Sequence, residues 1–118
     1  NEFTASHFGM QDSWQNSGGE SFTAVALPSG VEFGLPTTNP PSLSPTNSSF
    51  SSGVLADGVG FASGSKRIKF LPKGIPSGFG GSVYVYNSND SIGRSCAVIV
   101  ASSGIIRMWT WDGTRWNQ

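Results

Sequence analysis

One cysteine, one histidine and few charges (12% Asp, Glu, Lys and Arg) leave this chain short of chemical groups, and each shortage removes a class of function. A lone Cys96 forms no internal disulfide. Set in the run Cys96-Ala97-Val98-Ile99-Val100, it reads as a small buried hydrophobe. His7, the only histidine, has no cysteine or group of carboxylates spaced with it, whereas a metal site needs several ligands. A triad or a carboxylate pair would have to be assembled from His7 and scattered acids, so the expectation is no enzyme, no metal and no cofactor. Asp57, Asp90 and Asp112 stand beside glycine or in turn-like stretches, where carboxylates commonly serve turn geometry. No apolar run reaches the roughly 18 residues of a membrane-spanning helix. The opening Asn1-Glu2-Phe3 has no basic or apolar region of the signal-peptide kind. No helix of useful length can be drawn anywhere.

What is present is 16 glycines, 7 prolines and much Ser, Thr and Asn. Such a composition suits disorder or an extracellular β-protein. The eight Phe, four Trp and several Val/Ile runs argue for a packed core, and 118 residues make one domain. Charge is balanced but unevenly placed. All seven basic residues lie from Lys66 onward, and five of the seven acidic ones precede Gly60. Such halves neutralise each other within one domain, or attract one copy of a protein to the next.

The stretch that organises the chain is Arg94 to Trp109. Cys96, Val98 and Val100 fall on one face of a strand, and Ala97, Ile99 and Ala101 on the other. Apolar residues on both faces predict a central strand. Ser102-Ser103-Gly104 reverses it into a second strand over Ile105 to Trp111. Upstream, Phe3 to Phe8 suits a short edge strand, with turns at Gly9 and at Asn16 to Gly19. Phe22 to Leu27 alternates, Pro28-Ser29-Gly30 turns, and Val31, Phe33 and Leu35 predict a half-buried strand with Glu32 in solvent. Pro36 to Gly53 is a long Pro/Ser/Thr/Asn loop, with Leu43 and Phe50 available to pin it. Strands follow at Val59 to Ala62, at Lys66 to Leu71 with Ile68 and Phe70 inward, and at Ser82 to Tyr86. Gly78 to Gly81 lacks the spacing and following helix of a phosphate-binding loop. Asn87 to Asp90 is a turn. Asp112-Gly113 predicts a two-residue type I′ turn that pairs Trp111 with Thr114 and Trp109 with Trp116. Trp109, Trp111 and Trp116 then share a face, with Arg107 on the same side. The fold class is mainly β: one antiparallel domain over residues 1–118.

Several segments in order resemble one family. Lys66-Arg67-Ile68-Lys69-Phe70-Leu71-Pro72-Lys73-Gly74 is similar to the strand and turn "I-x-F-x-P-x-G" of pilins and pseudopilins of the GspH/FimT type. Gly81-Ser82-Val83-Tyr84-Val85 follows. Ala97-Val98-Ile99-Val100-Ala101-Ser102-Ser103-Gly104-Ile105-Ile106-Arg107 then resembles the family's closing hairpin. Leu27-Pro28-Ser29-Gly30-Val31-Glu32-Phe33 resembles its earlier "L-P-x-G-V" strand. Together these span roughly residues 22–111. The resemblance implies the β-sheet head of a type IV pilus or type II secretion pseudopilus subunit. Such a subunit is anchored in a bacterial inner membrane before assembly and then lies in an extracellular or periplasmic filament. The family's long hydrophobic N-terminal helix, with its cleavage signal and early Glu, is not in this sequence. The resemblance therefore implies a helix supplied upstream of Asn1 or on a separate helical pilin chain. The implied partners are other pilin subunits.

Two alternatives follow from side chains. Some members of the family capture DNA, for which Lys66, Arg67, Lys69, Lys73, Arg94, Arg107 and Arg115 would contact phosphates while a Trp stacks on bases. Only Arg107 stands where those members carry a compact basic motif. The face of Trp109, Trp111 and Trp116 would serve either hairpin packing or the binding of a glycan.

Overall fold

Strand β6 (Ser95–Val100) is flanked on both sides, which accounts for its apolar residues on both faces. A computed structural model describes residues 2–4 and 25–118 of the chain. On one side β6 pairs with β5 (Gly81–Asn87), and on the other with β7 (Ile106–Trp111). The outer neighbours are β8 (Trp116–Asn117) on β7, and β2 (Val31–Phe33) and β3 (Val59–Phe61) on successive parts of β5. Every pairing is antiparallel. The mainly β, antiparallel expectation therefore holds, with six strands in this sheet. Ala97 is fully buried at its centre. Cys96 is half-buried rather than buried as expected.

The two faces are covered by different means. Strands β1 (Glu2–Thr4) and β4 (Arg67–Lys69) form a second small antiparallel sheet. Ile68 of β4 is buried with Val59, Phe61 and Val100, and Phe33, Phe70 and Val83 close around them. Arg67 and Lys69, pointing the other way, are exposed, as the alternation predicts. On the opposite face Tyr84 and Ala97 are buried with Val54, and Leu35, Phe50, Trp109 and Trp116 pack against them.

Val54 comes from a helix that the sequence did not suggest. Helix α1 (Ser52–Asp57) occupies the end of the expected loop, so Ser52 and Gly53 are corrected from loop to helix. Six residues with a glycine at the second position carry no readable period, and intrinsic propensity opposes the helix. Its boundaries are better encoded than its body. Ser51 Oγ accepts from the Val54 N–H at 3.3 Å, and Gly58 closes the helix at φ 80°. A single 3₁₀ turn, Ala62–Gly64, follows β3.

The turns agree with the sequence in two places and depart in one. Gly104 takes φ 92° in the β6–β7 reversal, with Gly104 N–H donating to Ala101 at 2.9 Å. Asn87 to Asp90 turns as expected, with the Asn87 carboxamide oxygen accepting from the Asn89 N–H at 2.9 Å. The last hairpin differs. Trp111 pairs with Trp116 and Thr110 with Asn117, so its loop has four residues rather than two. The Asp112 carboxylate causes this. One oxygen accepts from the N–H groups of Thr114 at 2.8 Å and Arg115 at 2.9 Å, and the Asp112 N–H donates to the Arg115 carbonyl at 3.1 Å. A two-residue change in register keeps side chains on their faces, so the three tryptophans still share one. His7, the remainder of the first expected strand, the turns at Gly9 and Asn16 to Gly19, and Phe22 to Ala24 lie outside the described residues.

Candidate functional site

The tryptophan face is roofed by the loop that precedes α1. Residues 36–51 run across it as a strap. The Trp111 indole N–H donates to the Asn39 carbonyl and the Trp116 N–H to the Leu43 carbonyl, each at 2.9 Å. The Trp111 and Trp116 rings lie 5.4 Å apart, and Trp116 meets Tyr84 edge-on at 6.0 Å. Phe50 ends the strap with an edge contact to Tyr84 at 5.6 Å. Phe50 therefore pins the loop with its ring, as anticipated. Leu43 does so with its carbonyl, since its side chain is exposed. All three tryptophans are half-buried. A covered indole needs a partner for its N–H, and the strap provides two.

The seven basic residues do not form one stripe. Lys66 Nζ donates to the Val59 carbonyl at 2.6 Å and the Gly53 carbonyl at 3.3 Å, and pairs with Asp57 at 2.6 Å. It ties α1 to β3. Arg94 pairs with Asp90 at 2.9 Å, and Arg115 lies 3.8 Å from Asp112. These two stand at the end of the sheet where Ile92 meets Gly113. Lys73 lies in the turn after β4, whose Gly74 carbonyl approaches Gly104 at the opposite end. Arg107 begins β7 at that same end, while Arg67 and Lys69 are on β4. Of the expected balance between acidic and basic halves, Lys66–Asp57 is one direct instance. The two arginine pairs are local to their turns.

Beside the strap, on the same sheet face, lies an open cleft of about 440 Å³. Its floor is Ser82, Tyr84 and Ile99. One wall is the second half of the strap, another is the end of β3, and the third is the segment Phe79-Gly80-Gly81. Burial raises the Tyr84 hydroxyl above its ordinary value, against a hydrogen bond from Ser82 that lowers it. On the strap the hydroxyls of Ser44, Thr46 and Ser48 form a triangle with sides of 2.9, 3.1 and 2.8 Å. Ser49 and Ser102 also line the cleft. Among the described residues no charged side chain lines it. Phe79 projects at the rim, 82% exposed.

Gly78 to Gly81, discounted on its spacing as a phosphate-binding loop, thus carries an exposed ring at Phe79 that was not expected. The available signal was an aromatic flanked by glycines, with no alternating apolar neighbours to bury it. Among the described residues no group of three or more His, Cys, Asp or Glu could hold a metal ion, and no helix is long and apolar enough to cross a membrane. No family model, curated protein or solved structure matches the chain.

Proposed function

We propose that the chain is the globular head of a structural subunit in an extracellular type IV pilus-like filament or a type II secretion pseudopilus. The observation that carries the reading is the order in which the family-like segments become strands. Leu27 to Phe33 leads through Gly30 into β2, and Lys66 to Gly74 is β4 with its reversal. Gly81 to Val85 begins β5, and Ala97 to Arg107 is β6, its turn and the start of β7. In a filament such a head presents surfaces to its neighbours. Suited to this are Ile106 and Met108, each more than half exposed on one face of a strand whose outer side β8 covers only at Thr110 and Trp111 among the described residues, with exposed Ile105 just before it. The helix that joins the filament core would come from upstream of Asn1 or from a separate helical chain.

The test is the mass of the native protein together with the reading frame upstream of Asn1. The expected result is a hydrophobic segment of about 20 residues behind a pilin-type cleavage site, or a small helical chain that copurifies with the head. A mature chain starting near Asn1 after a conventional signal peptide, with no helical chain bound, would remove the filament reading.

A further inference from the structure

We propose that the cleft between the strap and Phe79 is a binding site for an uncharged glycan. The proposal is independent of the filament reading and places the ligand beside the tryptophans rather than on them. Its first support is the way Phe79 is mounted. Gly78 takes φ 105°, and side chains on Gly80 or Gly81 would run into the backbones of Val100 and Gly60. The glycines thus press the segment onto the sheet while the ring between them stands in water. An exposed ring on a closely fitted backbone adds little to the core. It offers a flat apolar surface at the mouth of a cleft, suited to the C–H face of a sugar ring.

The hydroxyls supply the second support. Within the Ser44–Thr46–Ser48 triangle each hydroxyl has one proton to give and two lone pairs to accept with. Ser44 Oγ also accepts from the N–H groups of Thr46 and Ser48. Those two bonds fill both lone pairs of Ser44 Oγ, so its proton goes to Thr46 or Ser48, and these two hydroxyls together keep one proton and spare lone pairs for sugar hydroxyls. Ser49 and Ser102 can donate in return. The size, about 440 Å³, lies within the range of small-molecule sites, roughly 300–1,000 Å³.

Charge narrows the ligand class. Nucleic acid requires cations against its phosphates, and none lines the cleft among the described residues. An added peptide strand requires a free edge, and the β5 edge here is already paired with β3. Arg107 faces Ile99 across the β6–β7 ladder but stands outside the lining.

The experiment presents the full 118-residue chain with cellobiose, maltotriose, lactose, chitobiose and mannobiose. Sialyllactose and digalacturonate serve as acidic controls. Binding is read by saturation-transfer NMR and calorimetry. The expected result is binding of at least one neutral sugar, weakened about tenfold by Phe79→Ala and severalfold by Thr46→Val, with both variants folded by circular dichroism. Absence of binding across the neutral set would overturn the proposal. So would binding unchanged by both substitutions, binding lost instead in Trp111→Phe, or binding confined to the acidic sugars and abolished by Arg107→Ala.

Discussion

The two aromatic groups on one sheet face meet opposite fates. Trp111 and Trp116 are half-buried, tilted against each other and hydrogen-bonded through their indole N–H groups to the strap. Phe79, at the edge of the neighbouring cleft, is left in solvent. The difference lies in how each can be satisfied. Covering an indole in protein calls for an acceptor, and a strap carrying two carbonyls at the right places closes over it. A phenyl ring makes no such demand, so its exposure has to be explained by its surroundings. A sequence-level count of aromatics ranks the tryptophans first as a binding surface, whereas the geometry makes them the foundation of the strap and leaves Phe79 as the open contact.

The largest expected effect follows from that contrast. Trp116→Ala removes the contacts with Tyr84 and Trp111 and leaves the Leu43 carbonyl without its donor. Full burial would set the loss at about 3–5 kcal/mol, and half-burial places it at about 2–4 kcal/mol. Urea unfolding should show the midpoint fall, and limited proteolysis should cut within residues 36–51. An unchanged strap would mean that the tryptophans are not its anchor. Trp111→Phe, which keeps a ring and loses only the bond to Asn39, should cost about 0.5–1.5 kcal/mol.

A wall of the cleft depends on a cation rather than on rings. Lys66→Met keeps the aliphatic stem but leaves the Gly53 and Val59 carbonyls without their ammonium donor. Deprived acceptors of this kind cost about 1–3 kcal/mol, and the partly exposed ion pair with Asp57 adds little. Lys69→Met, at an exposed position of β4, should stay within about 0.5 kcal/mol and serves as the control. Equal losses in the two variants would remove the special role given to Lys66.

Much of this architecture was legible because burial imposes a period. The alternation in β2, β4 and β5, the doubly covered β6 and the Gly104 reversal all leave a two-residue or glycine signature. What escaped had other determinants. Helix α1 is held by Ser51, Gly58 and the burial of Val54, not by a helical run. The last hairpin turned on which backbone groups the Asp112 carboxylate would accept, and Asp-Gly alone pointed to a shorter loop. The tryptophan face was correctly assembled despite the wrong register, since parity survived. Its roof could not be read, because the link from Asn39 to Trp111 runs through a backbone carbonyl that every residue type possesses. The cleft was missed for a similar reason: its hydroxyls come from a loop without periodic pattern.

Acid should separate the two ends of the sheet. Asp112 is held far below the usual carboxylate range, first by the Arg115 N–H and then by the Thr114 hydroxyl and N–H. Asp90 is also lowered, first by the Ile92 N–H, with Arg94 contributing. A carboxylate with a depressed folded value contributes stability above its ordinary value of 3.8, and that contribution is lost as pH falls through the folded value. The turns at Asp90 and Asp112 should therefore loosen below about pH 4. Among the described residues the cleft lining holds no Asp, Glu, His, Lys or Arg, and Tyr84 titrates only above its ordinary value of 10.0. Amide NMR from pH 6 downward should show Thr114, Arg115 and Ile92 shifting before Ser48, Ser49 and Phe79. Asp112→Asn should remove the pH dependence at Thr114. Simultaneous movement at both ends would mean that acid acts on the whole sheet.

The smallest expected effect separates contact from support most sharply. Phe79→Ser should change stability by less than about 0.5 kcal/mol, since a largely exposed ring contributes little burial. Gly80→Ala, one residue on, should destabilise the fold substantially, because its new methyl group meets the Val100 carbonyl. Adjacent positions would then give opposite results in the same urea titration, with the backbone at Gly80 structural and the ring at Phe79 dispensable for folding. A loss of more than about 1 kcal/mol in Phe79→Ser would place the ring in the core energetics. Its exposure would then no longer need a ligand to explain it.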